Sequence, residues 1–181
     1  ILFSDVAPGS GLGASGSLAV NLVNIINYLK KEKQSKANTA ETAYDIGRKT
    51  LHWSIGKQDE YIASFGGFNF ISFKKNKISV QPIKLKQSSK KELEENLLLF
   101  FLGNTRNSSK ILTEQIKNIK NKKSETLESL SHTKNLALDM NNSLKKSDLS
   151  NFGNLLHEGW IAKKCFSSHV TNQKIDKIYE K

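Results

Sequence analysis

The apolar positions fall into short runs and helical stripes that alternate along the chain. Ile1 to Val6 is an apolar-rich run and predicts a buried strand. Leu18, Val20, Leu22, Val23, Ile25, Ile26 and Leu29 cover several faces of a helix, which predicts a largely buried one. A charged turn over Lys30 to Lys36 separates it from a second helix, Thr39 to Leu51. Asn38 or Thr39 would cap that helix, with Glu41 and Thr42 in its first turn. His52 to Lys57 reads as a connection. Gln58 to Phe65 reads as a short helix with Asp59 near its start, ended by Gly66 and Gly67. Phe68, Phe70 and Ile71 to Phe73 predict a strand, Lys74 to Lys77 a hairpin turn, and Ile78 to Ile83 the returning strand.

Lys84 to Lys91 is polar and rich in Lys and Ser, and it suggests a boundary that divides the chain into residues 1–88 and 89–181. Leu97 to Leu102 is a continuous apolar run of the kind found in a central strand. Gly103 to Asn107 is a loop, followed by a helix capped near Ser108 or Ser109 with Ile111, Leu112, Ile116 and Ile119 on one stripe. Leu127, Leu130, Leu136, Ala137, Met140 and Leu144 mark another helix over Ser124 to Lys145. Asp148 opens a third, carrying Phe152, Leu155, Leu156 and Trp160. Ser167 to Asn172 is a loop, and a further helix starts at Gln173. Strands and helices in this order predict an α+β fold.

Composition narrows the class. Of 181 residues, 37% are hydrophobic, enough for a core, and only two are proline. No apolar run reaches the roughly 18 residues of a membrane span. A single cysteine, Cys165, excludes a disulfide framework and fits a reducing cytoplasm. The net charge of +11 comes from 28 Lys and Arg against 17 Asp and Glu. Almost all the cations are lysines, scattered and without interleaved aromatics. Arginine is the usual reader of bases and phosphates, so the charge reads as solvated surface and no nucleic-acid partner is expected. His52, His132, His157 and His169 have no metal-ligand spacing.

The chemistry concentrates at Pro8, Gly9, Ser10, Gly11, Leu12, Gly13, Ala14, Ser15, Gly16 and Ser17, between the first strand and the first helix. Glycines let the backbone adopt positive φ and come close to a ligand. The unpaired N–H groups of the following helix start, with its dipole, attract an anion. The stretch therefore has the make-up of a phosphate cradle, and a plain tight turn is the alternative. Gly11 to Gly16 also matches a dinucleotide fingerprint, but no second strand ending in an acid follows, which excludes it. Ser17-Leu18 stands where a Walker loop needs Lys-Ser/Thr. Gly13 to Ser17 misses a nucleophile elbow at its last residue.

Pro8 to Ser17 resembles the P-x-G-x-G-L-G-S-S-A loop of the GHMP kinases. Gly56-Lys57-Gln58-Asp59-Glu60-Tyr61 with Phe65-Gly66-Gly67 resembles the G-K-Q-D-Q-Y…F-G-G segment of that family's heptose 7-phosphate kinase branch. The resemblance implies a GHMP kinase fold, with a half similar to ribosomal protein S5 domain 2 and a ferredoxin-like half. Both halves are expected to be incomplete, since members carry an N-terminal sugar-binding segment and a second glycine-rich loop expected soon after Lys181. Residues 1–181 alone are accordingly expected to be inactive.

By the same resemblance, the chain would use ATP and Mg²⁺ to phosphorylate a sugar phosphate, feeding lipopolysaccharide or capsule assembly. Asp59 falls on the family's catalytic aspartate, a base for the acceptor hydroxyl. A helix-start aspartate is the structural alternative. Ser15 falls where members direct a serine hydroxyl to Mg²⁺ and phosphate, with a helix cap as its alternative. Lys57 would bind substrate and keep Asp59 ionised by proximity. Thr105 and Arg106 resemble a T-R pair that would grip the sugar phosphate. The chain departs from the family at Gly47, where members usually carry an Mg²⁺-binding glutamate. Asp45 lies on a different helical face.

Overall fold

The structure is a computed structural model that describes residues 5–6, 9–75, 77–102 and 108–180. The chain divides into two compact units after Gly67; the first also takes in the start of a later helix to Leu112, and the second runs Phe68–Leu102 and resumes at Thr113.

The first unit is built from α1 (Ala14–Leu29), α2 (Lys36–Asp45) and α3 (Gln58–Phe65), which pack on one another. Their shared core is small: Val20, Val23 and Ala43, with Ala19 and Ala63 against them. Helix α1 starts four residues earlier than its apolar run, so Ala14 to Ser17 form its first turn. It is also less buried than its pattern suggested: Leu18, Leu22, Ile25, Ile26 and Leu29 are exposed, because α2 and α3 cover only one face. Helix α2 starts at Lys36, with neither Asn38 nor Thr39 as cap; Ser35 takes that role, its Oγ accepting from the Asn38 N–H at 3.1 Å. Past Asp45 the helix widens into a π-helical turn, Ile46–Thr50. Two bonds pin the far end of α3 to the start of α2: Lys36 Nζ donates to the Phe65 carbonyl at 2.9 Å, and Ser64 Oγ donates to the Lys36 carbonyl at 2.6 Å.

In the second unit, β1 (Asn69–Lys74) and β2 (Lys77–Pro82) form the expected antiparallel hairpin, in register from Asn69 opposite Pro82 to Lys74 opposite Lys77. The polar stretch after it is not a linker throughout, since α4 (Gln87–Asn96) begins there. Helices α5 (Ser108–Lys120), α6 (Ser124–Lys145), α7 (Leu149–Lys164) and α8 (Gln173–Tyr179) follow. The limits of α6 and the Asp148 cap of α7 agree with the apolar stripes; Asp148 Oδ1 accepts from the Asn151 N–H at 3.0 Å. Helices α6 and α7 pack together, and buried Thr126 ties α6 to the end of α7 by donating to the Cys165 carbonyl at 3.1 Å.

Leu97 to Leu102 is not a central strand. It forms no regular element and pairs with no strand among the described residues, and Leu97 to Phe101 are exposed. A strand needs neighbours to take its backbone hydrogen bonds, and an apolar run supplies none itself.

Candidate active site

The glycine-rich loop enters α1 through three left-handed residues, Gly9, Gly11 and Gly13, with φ of 79°, 81° and 76°. A side chain at those angles costs about 1–2 kcal/mol, which explains the glycine spacing. Ser10 Oγ accepts from the Leu12 N–H at 3.4 Å, and the Leu12 side chain is exposed. Gly13 is the N-cap residue of α1. No side chain caps that helix start, and its first turn carries no acid. The first amides of α1 thus have no side-chain cap, on a loop with open space at Gly11.

Ser15 and Ser17 lie in the first turn of α1, and Ser15 is exposed. Ser15 is therefore not the cap of this helix, since that position belongs to Gly13. Gly16 is buried for a packing reason: a Cβ there would stand 2.8 Å from Asp59 Cβ, 3.1 Å from the Asp59 carbonyl carbon and 3.3 Å from the Glu60 nitrogen.

These distances place Asp59, in the first turn of α3, directly against the start of α1. A Cβ at Gly13 would lie 4.0 Å from Asp59 Oδ2. The glycine loop and the aspartate, 46 residues apart by their numbering (Gly13 to Asp59), thus meet at one point. Pro8, Thr105 and Arg106 lie outside the described residues.

Lys57 does not serve as the charge partner of Asp59. Its ammonium is committed to Glu41 of α2, at 2.6 Å from Oε2 and 2.9 Å from Oε1, and lies 4.9 Å from the centre of the Tyr44 ring. The buried Tyr61 donates its hydroxyl to Glu41 Oε1 at 2.7 Å. Burial pushes the Glu41 carboxyl up, but the Lys57 and Tyr61 hydrogen bonds and the Lys57 charge hold it below its usual range. Burial, then the bond to Glu41 and its charge, push the Tyr61 phenol well up. Glu41 escaped the sequence reading because its place on α2 says nothing about which α3 residues it meets.

Glu60, next to Asp59, points the other way. It is 4% exposed, and its Oε2 has no hydrogen-bond partner among the described residues. Burial raises its carboxyl above the usual range, a backbone bond opposes this, and the Asp59 charge adds to the rise.

Gly47 sits buried in the π-helical turn. A Cβ there would meet Ile55 Cδ1 at 2.5 Å, so the glutamate expected from the resemblance would require the end of the Ile55 side chain to shift. Asp45 is paired with Lys49 at 2.8 Å. Among the described residues, no three His, Cys, Asp or Glu gather as a metal cluster.

Residues 1–67 match the GHMP kinases N terminal domain. Over 179 residues, 98% of the chain, the sequence is 34% identical to the D-glycero-alpha-D-manno-heptose 7-phosphate kinase of Campylobacter jejuni and covers 52% of it. A D-glycero-D-manno-heptose 1-phosphate kinase structure from Bacteroides thetaiotaomicron matches with a TM-score of 0.71 and 32% identity, over 90% of this chain and 46% of that one. A Campylobacter jejuni protein described as a sugar kinase matches with a TM-score of 0.63 and 29% identity, over 98% of this chain and 49% of its own. The chain spans about half the length of these relatives. The N-terminal domain match, the similarity along nearly the whole chain and the α+β structure with its glycine loop together identify residues 1–67 as a GHMP kinase N-terminal domain, in a chain similar to heptose phosphate kinases.

Proposed function

We propose that the protein is an ATP-dependent kinase that phosphorylates a hydroxyl of a sugar phosphate, in the first instance the anomeric hydroxyl of D-glycero-D-manno-heptose 7-phosphate. The observation that carries this reading is the meeting of Asp59 with the Gly13–Gly16 start of α1. The similarity to a heptose 7-phosphate kinase supports the choice of sugar. On this reading residues 1–88 belong to the ATP-binding domain and 89–181 to the C-terminal one, and the reaction takes place in the cytoplasm.

Phosphoryl transfer asks a protein mainly for positioning and charge stabilisation. The amides of the α1 start and the open backbone at Gly9, Gly11 and Gly13 would take the nucleotide phosphates. Asp59 would orient the acceptor hydroxyl and take its proton as the new bond forms. Ser10, Ser15 and Ser17 would add hydroxyls at the rim, and Thr105 and Arg106 would bind the sugar phosphate; Lys57, expected from the sequence to bind substrate, is instead held by Glu41.

The donor set at the loop fits Mg²⁺ in one form only. Position 47 is a glycine and offers no carboxylate, and Ser15, exposed in the first turn of α1, is the hydroxyl at the loop. Mg²⁺ commonly keeps several waters and binds substrate phosphates, and Ser15 would hold it together with the nucleotide phosphates and water. When bound, the ion would neutralise charge on the transferred group. A second reading, a non-catalytic nucleotide-binding relative, is favoured by the missing side chain at Gly47.

The test uses the full-length protein with Mg-ATP and D-glycero-D-manno-heptose 7-phosphate, followed by ³¹P NMR. A new anomeric phosphate signal, lost in Asp59→Asn, is the expected result. ATP binding without any consumption would favour the non-catalytic reading. Turnover of another sugar or of an isoprenoid alcohol alone would overturn the choice of substrate.

A further inference from the structure

We propose that Glu41 is a positioning residue for Asp59: it clamps the start of α3 from both sides of the aspartate, through Lys57 and Tyr61. The proposal deepens the kinase reading and rests on it for its kinetic consequence. Its geometry stands independently. Lys57 is the N-cap residue of α3, and no side chain of its own caps that helix. Its carbonyl takes the helix's own first bond, from the Tyr61 N–H at 3.1 Å. Its side chain adds the tie to α2, through the two bonds to the Glu41 carboxylate at 2.6 and 2.9 Å.

Tyr61 lies two residues beyond Asp59 and brings a third bond, at 2.7 Å, to the same carboxylate. The Tyr61 ring is buried and stacks on Phe65, with centroids 5.9 Å apart. Glu41 thus grips both neighbours of the 58–60 segment while Asp59 itself stays free to face the glycine loop. The other end of α3 is already fixed to α2 by Lys36 and Ser64. With Glu41 in place, α3 is held to α2 at both ends. Asp59 has little room for error, since its Cβ sits 2.8 Å from where a Gly16 Cβ would be. A loosened first turn would let the carboxylate drift from the α1 start.

Charge matters as well as shape. The carboxylate accepts from a cation and a phenol, and charged hydrogen bonds of this kind are the strong ones. Gln at position 41 keeps the size and one acceptor oxygen. It loses the second acceptor and the attraction for Lys57.

The experiment compares Glu41→Gln, Asp59→Asn and the double variant in the full-length protein, with Mg-ATP and D-glycero-D-manno-heptose 7-phosphate. Glu41→Gln should lower kcat by about ten- to a hundredfold while leaving the nucleotide KM within about twofold, as expected for lost positioning rather than lost binding. In the Asp59→Asn background the same change should lower residual turnover no further, because the misplaced group is already absent. Amide hydrogen exchange supplies a readout free of activity: protection of residues 58–60 should fall about tenfold or more in Glu41→Gln, with α1 unchanged. A kcat within about threefold of wild type would overturn the proposal, as would an equal proportional fall in both backgrounds. Should the wild type show no turnover, the kinase reading fails, and unchanged protection of residues 58–60 would then overturn the clamp by itself.

Discussion

Gly16→Ala separates packing at the site from every simpler effect. In an ordinary helix the change is favourable by about 0.5–1 kcal/mol, because Ala loses less backbone entropy than Gly. Here the new Cβ would meet Asp59 Cβ at 2.8 Å, where ordinary contact begins at 3.4 Å. The neighbours at 3.1 and 3.3 Å are backbone atoms of Asp59 and Glu60, so no flexible side chain can swing aside. Helix α3 must retreat, and overpacking of this kind costs about 1–3 kcal/mol. The helical gain offsets part of that, leaving a net loss of about 0–2.5 kcal/mol, so the variant should fold. The retreat is about 0.6 Å, and since a 1 Å misplacement can cost about a hundredfold in rate, turnover should fall by about tenfold or more. Gly13→Ala is the control. Its Cβ has ordinary contacts of 3.8–4.0 Å with Asp59, so it should lose stability through its φ of 76° without pushing Asp59 away. Thermal unfolding, nucleotide titration and steady-state kinetics of the full-length variants decide the matter. A Gly16→Ala enzyme with turnover within about threefold of wild type would refute the idea that Asp59 works from its contact with α1.

Asp59→Asn keeps the size and a carbonyl acceptor but accepts no proton, so turnover should drop by about 10²–10⁴-fold with folding and nucleotide affinity near normal. Gly47→Glu should require Ile55 Cδ1, the end of a side chain, to shift, so it should destabilise the protein by no more than about 1 kcal/mol, and Ile55→Ala should recover that loss in a thermal melt. Glu60 has a folded-state pKa above its ordinary 4.5, so the stability from its protonated form is full below that pH and is lost as pH rises through the folded value. Glu60→Gln should therefore raise the thermal midpoint at pH 7 and flatten the decline above pH 4.5, as seen in melts across pH; an unchanged profile would contradict the burial argument.

The sequence by itself determined the local elements wherever a periodic stripe met a capping residue. Helix α6, the Asp148 cap of α7 and the β1–β2 hairpin were legible because their signals are short in range: apolar spacing, a side-chain cap and a polar turn between two apolar runs. The glycine turn and helix start over residues 9–17 were legible for the same reason, since positive φ and a helix start are local demands. Which faces are buried was not legible. The apolar residues of α1 promise burial on several sides, yet only the side met by α2 and α3 is covered, and Leu97 to Phe101 lie exposed without a partner strand among the described residues. Burial belongs to a pair of surfaces, and one strip of sequence specifies only half of it. The site follows the same rule. Glycine spacing marks Gly13 and Gly16 as loop residues, but only the tertiary structure brings Asp59 against them and turns Lys57 away to Glu41. A side chain's charge can be read from its letter. Its partner depends on how helices distant in sequence pack, and here that packing decided which acid Lys57 holds and which acid faces the loop.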